Sequence, residues 1–190
     1  VGATLGHGDM RLQIDNPYAA QPFVHDFVES YDARCAAYEK HERHLLFAAA
    51  RAEARRRRKP LLIVGEPDGE YPCGDVLVDL RPTSICKNHV RTSVESMPMF
   101  RDKQFGAVLI SHVLEHVGNP IAALAELHRT ADTVFISYPR PWRLTTYLVP
   151  GHTWLMIPNS VGGFNFKRLR STSNLPTRYG VNPNLWSLRP

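Results

Sequence analysis

The sequence predicts an α/β fold with a mainly parallel sheet and helices on both of its faces. Three observations carry this prediction: short apolar runs without polar alternation, a helical pattern between two of the runs, and turn residues at their ends. Continuous apolar runs are typical of parallel strands, because such strands are buried on both faces. Strands that alternate with helices form βαβ units. The 190 residues are enough for one such domain.

The chain before the first predicted strand divides into an arm and a helical segment. Residues 1–17 contain three glycines and end in Asn16-Pro17, which predicts an irregular N-terminal arm. Residues 18–59 carry apolar side chains at helical spacing, which predicts one helix or a helix pair. This segment ends in a basic run at 55–59, where the helix macrodipole favours cations. The run could contact nucleic acid or a membrane surface, but we favour a solvated helix end.

Four apolar runs predict the strands of an α/β domain over residues 60–167. They lie at 61–64, 76–78, 107–110 and 133–136. Between the last two runs, apolar residues recur at helical spacing, and Asn119-Pro120 supplies an N-cap followed by a proline at the first helical position. The sequence therefore predicts a helix that begins at Pro120.

Two further runs follow the fourth predicted strand. Residues 154–157 and 164–166 lie on either side of Gly162-Gly163, which predicts a C-terminal antiparallel hairpin that completes the sheet. Residues 168–190 contain three prolines and few apolar side chains, so we expect a basic tail that is ordered only against the domain or a partner.

Charge is unevenly distributed along the chain. None of the 18 acidic residues lies after Asp132, whereas seven of the 23 Lys and Arg residues and all three tryptophans do. A basic, aromatic C-terminal third suits an anionic partner, such as a nucleic acid. The same residues could form a solvated basic face, which is the interpretation we favour.

The cysteines, the lengths of the apolar runs and the first residues predict the cellular compartment of the protein. Cys35, Cys73 and Cys86 are odd in number and match no paired C-x-x-C spacing, so we expect neither a disulfide framework nor a cysteine zinc site. No apolar run reaches the roughly 18 to 20 residues of a membrane span. The first residues lack the basic-then-apolar pattern of a secretory signal. We therefore expect a cytoplasmic, reducing setting.

The most informative residues directly follow the predicted strands, where ligands bind in parallel sheets. The pattern runs from the glycine loop at 65–69 through Glu95-x-x-Pro98 and Phe105-x-x-Val108 to the run 112–116, His-Val-Leu-Glu-His. Pro120 and Leu124-x-Glu126 follow. In this order and at these spacings, residues 61–138 resemble a class I S-adenosylmethionine-dependent methyltransferase of the type 11 kind, which implies a Rossmann-like fold.

The resemblance implies that S-adenosylmethionine binds at this edge of the sheet. Asp79 would accept hydrogen bonds from the ribose hydroxyls, since a carboxylate only accepts. The implied cofactor-binding positions are Gly65, Glu66, Pro67, Gly69, Asp79, Leu80, Ser93, Val94 and Ser111. His112 would be the catalytic base. The implied acceptor-binding positions are Tyr138, Arg140, Trp142 and Arg143.

Four positions depart from the family pattern. Pro67 occupies the middle place of the glycine loop, Ile63 stands where an acidic residue is common, and Ser93 and Gly106 replace frequent aspartates. A lost charged hydrogen bond costs on the order of 1.5 to 3 kcal/mol. The alternative to an enzyme is therefore a non-catalytic binding or assembly module that has lost the cofactor. A nucleic-acid methyltransferase is a third possibility, although no N-P-P-Y/F-like tetrapeptide is present.

The run His112-Val-Leu-Glu115-His116 also matches the inverted zinc-hydrolase signature H-x-x-E-H. That site needs a third ligand and a position within a helix. Only His128 and His152 follow as further histidines, and His112 comes two residues after a predicted buried strand. The sequence therefore predicts no metal site.

Overall fold

The computed structural model describes residues 22–169, except positions 68, 84, 144, 145, 148 and 150, and for residues 22–30, 32 and 33 it describes the backbone only. The predicted arm and nearly all of the predicted basic tail lie outside the described residues. The elements are α1 (Pro22–Arg57), β1 (Leu61–Val64), β2 (Val76–Asp79), β3 (His89–Arg91), β4 (Ala107–Ser111), α2 (Pro120–Thr130), β5 (Val134–Ser137), β6 (Trp154–Pro158) and β7 (Phe164–Arg168). The chain divides into two compact units, residues 1–39 and 40–190. The sheets and the C-terminal part of α1 lie in the second unit.

The main sheet has five parallel strands in the order β3-β2-β1-β4-β5. This confirms the predicted α/β, Rossmann-like class and all four predicted strands. β3 was not predicted, because it has three residues and a half-exposed pattern with His89 and Arg91 in it. Within the described residues, no helix is both long and apolar enough to span a bilayer.

Side chains of the central strands alternate between two apolar cores, as the pleat of a strand requires. Leu62 and Ile110 pack with Leu127 of α2 in one core. Leu61 and Leu109 pack with Ala54 of α1 in the other. Helices therefore cover both faces of the sheet, as predicted.

Gly106 lies where α1 approaches the start of β4 most closely. A Cβ at this position would come within 3.0 Å of Ala54 Cα and 3.1 Å of Ala54 O. The absence of a side chain at Gly106 thus has a packing reason, since an aspartate here would push α1 away from the sheet.

The predicted hairpin is confirmed, but its predicted place is wrong. β6 and β7 pair with each other, antiparallel, in a separate two-stranded sheet. One face of the hairpin packs against the core that contains Leu127 of α2: Met156 is buried in this core, and Phe164 and Phe166 pack against it. These side chains are therefore covered without any pairing to β5, whereas Ile157 on the other face is exposed.

The helix start at α2 follows the prediction. The Asn119 side chain accepts hydrogen bonds from the backbone N–H groups of Ile121 and Ala122, each at 3.1 Å. Pro120 occupies the first turn, where its missing N–H would have had no partner.

The expectation that the chain contains no disulfide is wrong. Cys73 and Cys86 are bonded, with their Cα atoms 5.7 Å apart, and Cys35 is free. The bond joins the segment before β2 to the segment before β3. The expected reducing setting was drawn from cysteines without a pairing pattern, so it loses that support, because disulfides persist mainly in oxidising compartments.

The carboxylate of Glu53 in α1 makes the stability of the domain depend on pH. Its carboxylate accepts hydrogen bonds from Arg56 and Arg57, at 2.7 and 2.6 Å, and from Thr133 at 3.1 Å. Hydrogen bonding to Arg56 first, and then to Arg57, lowers the pKa of Glu53 from 4.5 to about 2. Because the pKa of this carboxyl is lower in the folded state than in the unfolded state, its contribution to stability is fully present above the unfolded-state pKa. The contribution is lost as the pH falls through the folded-state pKa.

We therefore expect the Glu53→Gln variant to unfold at lower urea concentration than the wild type near pH 7. The difference should shrink as pH falls from about 4.5 to about 2, because the wild-type carboxylate becomes protonated in that window. Urea unfolding followed by circular dichroism at several pH values measures it. A difference that stays constant down to pH 2 would contradict this assignment.

Candidate functional site at the carboxyl edge of the sheet

The turn after β1 lies tightly against the segment after β4. Gly65 has φ +88°, and its N–H donates to Val78 O at 2.9 Å. A Cβ here would come within 2.5 Å of Val113 Cγ2. Only glycine adopts this φ without strain and leaves room for Val113.

Asp79 ends β2 beside this turn. Its Oδ2 accepts a hydrogen bond from the Glu66 N–H at 2.9 Å, and its Oδ1 accepts one from the Arg81 N–H at 2.8 Å. Each carboxylate oxygen can accept a second hydrogen bond. Asp79 is half-buried and its neighbour Leu80 is exposed, so the carboxylate retains acceptor capacity at the open edge of the sheet.

Pro67 does not disrupt the loop. It is buried, and its carbonyl accepts a hydrogen bond from the Glu70 N–H at 2.9 Å. The Glu66 carboxylate accepts from the Thr83 hydroxyl at 2.6 Å. Gly69 has φ +76°, and among the described residues other than its chain neighbours no atom lies within 4 Å of a Cβ built on it. Hydrogen bonds thus hold the described residues of this loop, and there is open space at Gly69.

Ser93 and Val94 follow β3. The Ser93 hydroxyl accepts from the Glu95 N–H at 3.2 Å and donates to the Glu95 carboxylate at 3.3 Å. Val94 is buried in the α2 core. Glu95 also accepts from the N–H of Asn119, so Ser93 belongs to a network that joins this turn to the start of α2.

His112 follows β4 in a strained backbone conformation. Its φ is +53°, and its N–H donates to Ser137 O at 3.0 Å. The left-handed region costs a residue other than glycine roughly 1 to 2 kcal/mol, and such strain is concentrated at functional sites. Ser111, the last residue of β4, pairs with Ser137 in the strand register.

The imidazole of His112 is oriented by a buried carboxylate. Its Nδ1 lies 3.4 Å from Glu115 Oε1, whereas its Nε2 is buried and lacks a hydrogen-bond partner within the described part of the chain. Burial raises the pKa of Glu115, but the adjacent imidazole of His112, followed by that of His116, outweighs it and holds that pKa below its usual range. Burial lowers the pKa of the nearby His152.

The predicted acceptor-binding residues form a group after β5. Tyr138 packs edge to face on Phe164, with the ring centroids 4.9 Å apart. The Arg140 guanidinium lies 5.2 Å from the Tyr138 ring centroid and 5.8 Å from that of Trp142, and it forms an ion pair with Glu42. Trp142 is 70% exposed. Arg140 therefore already has an anionic partner, and the open surface of this group belongs to Trp142.

Arg143 belongs to the same group. Its backbone N–H donates to Arg140 O at 3.1 Å, which closes a turn over Pro141 and Trp142. Arg143 is therefore joined to this group through the backbone of Arg140.

The structure thus places the predicted cofactor-binding residues at the carboxyl ends of β1, β2, β3 and β4: Asp79 and Ser111 end their strands, and the others lie in the segments that follow the strands. Sequence reasoning missed two residues of this site. The Val113 side chain packs against Gly65, and the Thr83 hydroxyl donates a hydrogen bond to the Glu66 carboxylate. No local signal marks either residue, since both act through contacts between separate strand ends. Residues 75–132, from the residue before β2 to the second residue after α2, match the family model described as a methyltransferase domain.

The resemblance to class I methyltransferases is confirmed over residues 75–132.

The match to the methyltransferase domain includes Asp79, Ser93 and His112 and leaves out the loop at 65–69. Neither the curated proteins nor the solved structures gave a match. The family therefore supports methyl transfer in general, and the acceptor has to be sought from the residues of this chain.

Proposed function

We propose that this protein is an S-adenosylmethionine-dependent methyltransferase that acts on an unidentified acceptor. One observation carries the proposal: the Gly65 turn and the Asp79 carboxylate lie side by side at the carboxyl edge of a parallel sheet. In such sheets this edge is where ligands bind. The match of residues 75–132 to the methyltransferase domain supports it.

The residues at this edge fit the cofactor chemically. Asp79 has acceptor capacity for two ribose hydroxyls beyond the two backbone N–H groups it already binds. Gly65 and Gly69 let the backbone approach a ligand closely. Ser93 and Val94 lie at the end of β3, where the adenine would sit. When bound, the cofactor supplies a methyl group that its sulfonium already activates, so the protein mainly has to align the acceptor.

His112 is the proposed base. Its Nδ1 faces the Glu115 carboxylate, which favours the tautomer that carries the proton on Nδ1. Nε2 then keeps its lone pair and can accept a proton from an oxygen or nitrogen nucleophile. The exposed ring of Trp142, together with Tyr138, Arg140 and Arg143, would contact the acceptor.

The variant His112→Asn tests this role. Asparagine tolerates the left-handed backbone at this position but cannot act as a base. We expect turnover to fall by about 100-fold or more, with little change in cofactor affinity. The rate of labelled methyl transfer and calorimetric titration with the cofactor measure the two quantities. His128→Ala, an exposed histidine of α2, is the control, and equal losses of turnover and affinity in His112→Asn would indicate a structural role.

Calorimetric titration with S-adenosylmethionine and S-adenosylhomocysteine tests the proposal as a whole. We expect saturable binding in the micromolar range. No binding up to millimolar ligand, by a protein whose circular dichroism shows that it is folded, would favour the non-catalytic binding or assembly module. In that case the basic C-terminal third, through an anionic partner or nucleic acid, would be the surface to pursue.

A further inference from the structure

His116 and His152, which lie beside the buried carboxylate of Glu115, are the two histidines that methyl transfer leaves unexplained. One ligand atom from each of Glu115, His116 and His152 lies within 4.8 Å of the other two. Glu115 is 1% exposed, and neither of its carboxylate oxygens has a hydrogen-bond partner within the described ranges. A buried carboxylate in this state is costly unless a cation neutralises it.

Hydrogen bonds to carbonyl groups orient both imidazoles. His116 Nδ1 lies 2.9 Å from Gly151 O, and His152 Nδ1 lies 2.8 Å from Thr146 O. A carbonyl oxygen only accepts, so each Nδ1 carries the hydrogen and each Nε2 keeps its lone pair. Metal-binding histidines in proteins are generally held in this way.

The backbone around the cluster is fixed by hydrogen bonds between two distant segments. The N–H groups of Thr153 and Trp154 both donate to Glu115 O, at 2.7 and 3.1 Å. The Trp154 indole N–H donates to Val117 O at 2.9 Å. These bonds hold the start of β6 against the segment after β4, and so they place His152 beside His116, with ring centroids 4.8 Å apart.

We propose that Glu115, His116 and His152 bind a divalent transition-metal ion of the zinc class. Two imidazole nitrogens and one carboxylate oxygen form a three-ligand zinc set, which leaves a fourth position for water or another oxygen donor. Imidazole ligands favour zinc, cobalt or nickel over magnesium and calcium. Zinc holds nitrogen and oxygen ligands at about 2.0 to 2.2 Å, so binding would draw the three ligand atoms closer together. The site does not depend on cofactor binding.

His112 is a neighbour of this site and not one of its ligands. Its Nδ1 lies 3.4 Å from Glu115 Oε1, the same oxygen that lies 3.9 Å from His116 Nε2, so it helps to position the carboxylate. The site therefore uses only two residues of the H-x-x-E-H pattern and takes its third ligand from the segment before β6.

The experiment uses the full-length, untagged chain after removal of metals with a chelator. A Cys35→Ser background removes the one free thiol in the described part of the chain as a competing ligand. Calorimetric titration with zinc chloride should show one bound ion per chain. Titration with cobalt should give the visible absorption of a four-coordinate site. We expect His152→Ala to weaken zinc binding by about 100-fold, whereas the matched control His128→Ala should leave it unchanged.

Two results would overturn the proposal. One is the absence of saturable zinc binding up to millimolar concentration by folded protein. The other is equal zinc affinity in the wild type and His152→Ala, which would mean adventitious binding elsewhere. Glu115→Gln should also weaken binding; if burial of Glu115 makes that variant unstable, the half-buried His152 still decides the question. Tighter binding of magnesium than of zinc would contradict the proposed metal class.

Discussion

Asp79→Ala is expected to weaken binding of S-adenosylmethionine by about 100-fold or more while the protein stays folded. A hydrogen bond to a charged group contributes on the order of 1.5 to 3 kcal/mol, and Asp79 would make two of them to the ribose. The change also frees the N–H groups of Glu66 and Arg81, so the loop that contacts the cofactor loses its anchor. Calorimetric titration with the cofactor measures the affinity, and circular dichroism measures the fold.

Two further variants separate the ribose contact from general effects of charge. Asp79→Asn keeps the side-chain volume and one acceptor oxygen, so its affinity for the cofactor should lie between that of the wild type and that of Asp79→Ala. Asp102→Ala removes an exposed carboxylate that pairs with Arg129, and it should leave cofactor affinity unchanged. Unchanged affinity in Asp79→Ala would remove Asp79 from the site.

The largest expected effect on stability comes from the disulfide. Replacing Cys73 and Cys86 by serine should lower the free energy of unfolding by about 3 kcal/mol, because a crosslink over a loop of this length restricts the unfolded chain by that much. The two cysteines are 13 positions apart. Urea unfolding of the variant and the wild type, each without reductant, measures the difference.

Reduction provides a second measurement of the same bond. Dithiothreitol should lower wild-type stability to about that of the double serine variant, whereas Cys35→Ser should retain both the stability and the response to reductant. Alkylation before reduction should label Cys35 alone, and alkylation after reduction should label all three cysteines. Labelling of all three in native, unreduced protein would contradict the bond.

Most of the fold could be predicted from the sequence, because the decisive signals are local. The runs around Leu62, Leu77 and Leu109 are continuous and apolar, as strands buried on both faces must be. Asn119 and Pro120 carry the chemistry of a helix start within two residues. β3 escaped prediction because an edge strand of three half-exposed residues has no apolar periodicity.

The candidate site could be predicted only where the family pattern is local. Gly65, Asp79 and His112 follow strand ends, so they could be found from the order of motifs along the chain. One of the departures from that pattern acquires a physical reason in the structure, since Gly106 lies against Ala54 of α1. Pro67 is accommodated, because the turn closes through a hydrogen bond to its carbonyl.

The sequence by itself determined four of the five strands of the main sheet, the helix that begins at Pro120 and the edge at which ligands should bind, because these depend on periodicity and capping between near neighbours. Only the tertiary structure decided that Cys73 pairs with Cys86 and that His152 joins Glu115 and His116. It also decided that β6 and β7 form a sheet of their own. Each of these depends on how segments distant in sequence are brought together. For His152 and the hairpin, the physical reason is that backbone hydrogen bonds from Thr153 and Trp154 to Glu115, and the packing of Met156 in the core, fix contacts that no local pattern encodes.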